Sequence, residues 1–389
     1  MIPNLAIGVM RVTGGYHLVA RIDDFAVDLF ELASASHLPA TEAELSLLAA
    51  SSVNAFLELG AARHREIYDA LADLRIRDTG VLIAHGIPSS TASMALPLAP
   101  GDFVDFYANR YHAQRCADLT GDPDLLPEAW NWMPFAYHGR TASILGDGSQ
   151  IPRPSGWVKA KEGWSLRASR MVDYEMELGF VLRRSTQHGE VLALDDFEDA
   201  VFGAVLVIDW SARDLQGAEA KPLGPFHAKA FATQVGNWIV PVEMLNPCQR
   251  PARADMRPNG RQPVEGTLFD IGLTAQLSAA GDTADAGHAN LTDMAWTPAE
   301  MLAHLTQSGA PVRSGDLFAT GTISGPDADM TGCLLERQSQ DSTPLIIDGG
   351  KRHFLEDSDT IIISASMEHT GQTIPFDQVR GTIVAGGAA

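Results

Sequence analysis

Three short segments of this chain carry the residues most capable of chemistry. In Met171–Leu178, MVDYEMEL, side chains alternate across an extended strand, so Asp173, Glu175 and Glu177 share one face. Carboxylates set this close repel. The face is either a solvated edge or a source of oxygen ligands for a hard divalent cation. In the second segment, the apolar run Ala200–Ile208 ends in Asp209-Trp210-Ser211-Ala212-Arg213-Asp214. The run predicts a buried strand, and a carboxylate at its end needs a partner. Arg213 is one choice, if the chain turns helical there. A metal shared with Glu175 and Glu177 is the other. The third segment, GDFVDFYANRYH over 101–112, places Asp105, Tyr107 and His112 close together. A histidine among aromatics is ordinarily a packed, hydrogen-bonded residue, so it weighs little alone. Loops of Gly and Pro that carry Tyr137, Lys229 or Thr322 (AYHGR, PLGPFHAK, GTISGP) read as walls of a site.

The elements that must position these residues are mainly strands. Near the N-terminus, IGVMRV, HLVAR and FAVDLF alternate with the turn pairs Gly14-Gly15 and Asp23-Asp24, a hairpin pattern. Thr41 and Glu44 form a capping box, with apolar residues at helical spacing through Leu57, and a second helix spans Arg63–Leu74. The Pro-rich stretch IPSSTASMALPLAPGD reads as a connection and places a boundary there, between residues 1–95 and 100–389. Beyond it, Met171–Val181, Ala200–Trp210, Gly266–Leu277, Leu334–Gln340 and Thr360–Ser366 read as strands. Thr297-Pro298-Ala299-Glu300 opens a helix. Asn246–Gly266 and Ser278–Asn290 read as surface excursions.

Composition bounds the rest. The 389 residues are 45% hydrophobic and 20% charged, an ordinary globular mixture. The 28 basic residues stand against 49 acidic ones, a net charge of -21. Such a surface repels phosphate backbones and anionic lipid, which argues against a nucleic-acid or membrane partner. Three widely spaced cysteines make neither a disulfide framework nor a zinc set and suit a reducing compartment. With no leader pattern in MIPNLAIGVM and no apolar run of spanning length, the expectation is a cytoplasmic protein.

Together, DFVDFYANRYHA, MPFAYHGR, IPRP, DYEMELGF, VIDWSARDLQ, PLGPFHAKAFAT, SGDLFATGTISGP and LLE at Leu334–Glu336 resemble the fumarylacetoacetase family in order and spacing from Asp102 onward. The N-terminal part is similar to that family's SH3-like domain. The resemblance implies a mainly β fold with α additions: a small SH3-like N-terminal barrel and a β-rich catalytic domain. It also implies a homodimer, and hydrolytic cleavage of a carbon–carbon bond in a small 1,3-diketo substrate. By the same resemblance, Mg²⁺ or Ca²⁺, with Mn²⁺ as a further choice, is held by Asp105, Glu175, Glu177 and Asp209, with Lys229 and Thr233 at ion-contact positions. His112 matches the general base and Glu336 the carboxylate orienting it. Arg213, Gln216 and Lys229 match the oxyanion groups, and Tyr107, Tyr137 and Thr322 match substrate contacts. Such chemistry needs no Ser or Cys nucleophile, and no GxSxG elbow occurs.

The sequence departs from the pattern at two places. A family arginine about two helical turns after the histidine falls on Gly121, and a family tyrosine before PLGPF falls on Ala220. Arg115 and Lys221 are the nearest replacements. Losing an Arg–carboxylate contact costs about 1.5–3 kcal/mol of binding, so the acyl group of the substrate is expected to be bulkier or less acidic. Decarboxylation or keto–enol isomerisation on the same metal-enolate platform is an alternative, but it needs no water-activating pair. A non-catalytic homologue would have lost His112 or Glu336. A glycosidase reading of Glu175 and Glu177 is weakest, because residues two apart on one strand point the same way.

Overall fold

The structure is a computed structural model, and it describes residues 2–253, 268–339, 345–369 and 371–387. Strands Ala6–Val12, Gly15–Ile22 and Phe25–Asp28 form the expected antiparallel meander. Gly14, at φ +92°, supplies the left-handed turn that a β-carbon would oppose. The Pro-rich stretch is more than a connection: Gly86–Pro88 pairs with Phe25–Asp28 and Met94–Ala95 pairs with Ala6–Val12, completing a five-stranded sheet. The Thr41 capping box is formed, yet its helix stops at Leu48. Ser51 and Ser52, which compete for backbone hydrogen bonds, lie in the break before Asn54–Leu57 and the long helix Gly60–Arg77.

The second sheet positions the site. Its strands run Phe135–His138, Phe103–Tyr107, Leu317–Ala319, Met176–Leu182, Val201–Asp209, Thr233–Val235 and Ile144–Leu145. Val201–Asp209 is buried along its whole length, which explains its unbroken apolar character. The strand expected over Met171–Val181 is broken into Val172–Asp173 and Met176–Leu182. A third sheet joins Asp282–Asn290, Ile271–Ala279, Thr360–His369, Gln372–Val384 and Gln150–Pro152. The excursion expected over Ser278–Asn290 is therefore largely strand. Its inward residues Ala286 and Ala289 are small, and a bulge between Ala275 and Gln276 shifts the register, so alternation is muted in the sequence.

Leu334–Gln340 is likewise no strand: Glu336–Gln338 is a single helical turn, and Gln340 lies outside the described residues. Residues 254–267, which take in most of the Asn246–Gly266 reading and the first two residues of Gly266–Leu277, also lie outside them. Among the described residues, no helix is long and apolar enough to cross a membrane. The three cysteines are unbridged and buried.

Candidate active site and metal centre

Adjacent strands bring the acidic residues together. Asp105 sits opposite Tyr137 in one ladder, Asp209 opposite Thr233 in another, and Glu177 on the strand between Leu317–Ala319 and Val201–Asp209. Oxygens of Asp105, Glu177 and Asp209 lie within 4.8 Å of one another, and all three residues are buried. Register accounts for two contacts: Tyr137 Oη donates to Asp105 Oδ2 at 2.7 Å, and Thr233 Oγ1 donates to Asp209 Oδ1 at 3.2 Å. Arg140 donates to Asp105 Oδ2 at 2.7 Å and to Asp209 Oδ2 at 3.1 Å. Sequence reasoning placed Arg140 only in a loop; its sole signal was its place three residues after Tyr137.

Among the described residues, three oxygens in this cluster have no hydrogen-bond partner: Asp105 Oδ1 and both carboxylate oxygens of Glu177. Burial, reinforced by neighbouring carboxylates, pushes Glu177 well above the ordinary carboxylate range. Burial raises Asp105 to about 6, although Arg140 opposes it. Arg140 pairs with Asp105 and Asp209, and Lys229 with Asp209 and Glu175, whereas among the described residues no cation pairs with Glu177. An all-oxygen pocket holding an unpaired buried carboxylate fits a hard divalent cation.

Glu175 is placed differently. Lys229 Nζ bridges Glu175 Oε2 and Asp209 Oδ2, both at 2.6 Å, and Arg213 donates to Glu175 Oε1 at 2.6 Å. Burial acts to raise Glu175, but the charges of Lys229 and Arg213 outweigh it and hold the carboxylate well below its usual range. Lys229 remains an ammonium, held above its ordinary range by Asp209 and Glu175 despite burial, so it offers no lone pair to a metal and acts as a counter-charge. Arg213 does not pair with Asp209. It reaches Asp173 at 2.8 Å, Glu175, and Gln216 Oε1 at 3.0 Å, while among the described residues its Nη2 has no hydrogen-bond partner. Asp173 faces away from the acidic cluster because the strand breaks at Tyr174. Its two oxygens accept the Leu334 and Leu335 amides at 2.8 and 3.0 Å, and this bends the following segment into a turn.

That turn delivers Glu336 to His112, which lies in the helix Arg110–Thr120 capped by Asn109. His112 Nδ1 is 2.7 Å from Glu336 Oε1, which also accepts from Ser324 Oγ at 2.6 Å. Arg115 donates to Glu336 Oε2 at 2.8 Å. Burial disfavours the imidazolium, yet Cys116, Cys333 and Glu336 outweigh it, raising His112 well above its usual range. Tyr107 packs edge-on against His112 with ring centroids 5.6 Å apart, linking this pair to the Asp105 strand. Thr322 Oγ1 is buried and, among the described residues, has no hydrogen-bond partner. It follows Gly321, which at φ +74° approaches Phe106 O too closely for any β-carbon.

The two departures are also visible. Gly121 is the exposed left-handed cap ending the His112 helix, and Ala220 caps the helix Arg213–Glu219. Arg115 is committed to Glu336 and to the carbonyls of Gly325, Asp327 and Met330. Lys221 clasps Asp122 and Asp124 at 2.7 and 3.0 Å. Neither replacement presents a spare cation.

Fold and site together define a class: a hydrolase in which a hard-cation centre adjoins a histidine–carboxylate pair. Known proteins narrow it. Residues 82–375 match the family "Fumarylacetoacetate (FAA) hydrolase C-terminal". A fumarylacetoacetase of Caenorhabditis elegans is 32% identical over 98% of this chain and 96% of its own, and one of Homo sapiens 33% over 98% and 96%. The structure of a fumarylacetoacetate hydrolase from Exiguobacterium antarcticum covers 98% of this chain and 99% of its own with a TM-score of 0.59 at 14% identity. The chain belongs to the fumarylacetoacetate hydrolase family, and it is a metal-dependent hydrolase acting on a carbon–carbon bond of a diketo substrate.

Proposed function

We propose that the enzyme hydrolyses acylated 1,3-diketones whose acyl arm is less acidic than that of fumarylacetoacetate, with His112 as the base. The observation that carries this reading is the His112–Glu336 pair beside an acidic cluster with unpartnered oxygens. Asp105, Glu177 and Asp209 would hold Mg²⁺, Ca²⁺ or Mn²⁺, with Glu175 and Thr233 beside them. Once bound, the ion stabilises enolate charge on the diketone.

The chain's own residues account for the rest. Glu336 fixes the Nδ1–H tautomer of His112, leaving Nε2 to take a proton from water as the water oxygen bonds to the acyl carbonyl. The resulting oxyanion is met by Arg213, whose Nη2 is unspent, with Lys229 and Gln216 in support. The carbon–carbon bond then breaks, its electrons pass to the enolate carbon, and the proton held by His112 returns there, giving a carboxylic acid and a ketone. Tyr107, Tyr137 and Thr322 would line the diketone.

The acyl preference rests on the two departures from the family pattern and on their nearest cations. Gly121 and Ala220 carry no charge, Arg115 is spent, and Lys221 is neutralised by two aspartates. Residues 1–95 would serve as a separate SH3-like unit, and a cytoplasmic homodimer is the expected form. A panel of 1,3-diketones compared by kcat/KM tests the preference, with apolar or aromatic acyl groups leading. Fumarylacetoacetate at the head of the panel would overturn it. The isomerase and decarboxylase alternatives leave the water-activating pair without a task.

A further inference from the structure

Glu336 is fully buried, and each of its oxygens serves a different partner. Oε1 faces His112 and Ser324, whereas Oε2 faces Arg115. Arg115 lies three residues after His112 on the same helix, so one turn presents both the imidazole and the guanidinium to the same carboxylate. A buried carboxylate is costly to keep ionised without a cation. His112 cannot be that cation while it is the neutral base. Arg115 can, because a guanidinium stays charged throughout. It also fastens the end of the GTISGP motif and the loop after it, through the Gly325, Asp327 and Met330 carbonyls at 2.7–3.0 Å.

We propose that Arg115 is a positioning residue for the hydrolysis: it keeps Glu336 ionised and fixed, so that Glu336 holds His112 in the tautomer that accepts a proton at Nε2. This rests on His112 being the base. The groups facing His112 are Glu336 and Cys333 from the turn, Tyr107 from the strand and Cys116 from its own helix, with Glu175 acting at longer range. Arg115 balances Glu336 within that set. Removing its charge leaves Glu336 to hold a proton on His112, so the base becomes available only at higher pH.

Arg115→Gln retains donors for the loop carbonyls while removing the charge, and Arg115→Lys restores the charge. The expected result for Arg115→Gln is a kcat about 10–100-fold lower, KM within about twofold, and the acid limb of the kcat/KM profile about one pH unit higher. Arg115→Lys recovers most of both. The His112 imidazole, followed by NMR in the metal-free protein, moves in the same direction. An unchanged pH profile and imidazole titration in folded Arg115→Gln overturns the inference, as does a rise in KM at constant kcat, which would mark a substrate contact instead. His112→Ala assayed alongside separates the two readings. Near-normal turnover there removes the base itself, whereas lost turnover with an unaltered Arg115→Gln removes only Arg115.

Discussion

The acidic cluster and the His112–Glu336 pair adjoin each other but are built on opposite terms. In the cluster, Asp105 and Glu177 leave three buried oxygens without donors, and both carboxylates are pushed upward by burial. Around Glu336, both oxygens are met by donors from the His112 helix and the GTISGP loop, and the carboxylate is held low, with His112 and Arg115 overcoming the effect of burial. One half reaches its working geometry from protein groups alone. The other keeps repulsion that a bound cation would relieve. The proposed base is therefore preorganised, while the proposed metal centre is finished by binding.

Removing a group from each half sharpens the contrast. The largest expected effect is on turnover: His112→Ala should lower kcat by about 10²–10⁴-fold while leaving the Mg²⁺-dependent rise in melting temperature intact. Glu336→Gln should cost less, since the base survives. Loss of the Mg²⁺-dependent rise in His112→Ala would mean that the halves are one unit. Next comes Glu177→Gln, which should abolish that rise yet raise the melting temperature of metal-free protein by about 1–3 °C, because it deletes a repelling charge. A less stable metal-free Glu177→Gln would break the comparison.

The smallest effect is in the pH dependence of stability. A carboxylate whose folded pKa is raised contributes stability that is present below its unfolded value of about 4 and is lost as pH rises through the folded one. For Asp105 that window runs from 3.8 to about 6, and Glu177 acts with the same sign. Glu336, held low, has the opposite sign, and its contribution is lost as pH falls. Asp377, lifted to about 7 by burial, titrates whether or not metal is present, so the informative quantity is the difference between chelated and Mg²⁺-loaded protein. That difference in melting temperature should widen from pH 4 to 7. A constant gap would count against the cluster as the binding site.

Much of this was legible in the sequence, for identifiable reasons. The nine-residue apolar run Ala200–Ile208, followed by Asp209, admits little besides a buried strand. Both capping boxes declare their helix starts. Asp105, Glu177 and Asp209 lie together, a grouping the family resemblance implied and the acidic strand pattern alone did not. What stayed hidden depends on contacts between distant segments. Asp173 leaves the acidic face only because the strand breaks at Tyr174 and amides 161 and 162 residues away claim its oxygens. Glu336 lies on a turn for the same reason. Arg140 gains meaning once its loop follows a strand paired to that of Asp105. Arg115 looked like a substitute carboxylate clamp because it is the arginine nearest the vacant position, and its place beside Glu336 could not be read from the sequence.

The order of strands in the central sheet bears on how the enzyme is made. Leu317–Ala319 is inserted between Phe103–Tyr107 and Met176–Leu182, pairing in parallel with the first. His112 waits for a partner 224 residues later. At about 5–20 residues per second, a ribosome takes roughly 10–45 s to supply it. Throughout that interval two strands of the site present open edges where the last one belongs, a template for wrong pairing. A nascent chain thus holds neither ion pocket nor base until its final quarter emerges. A message truncated before that point would yield an aggregation-prone fragment with no share of the activity.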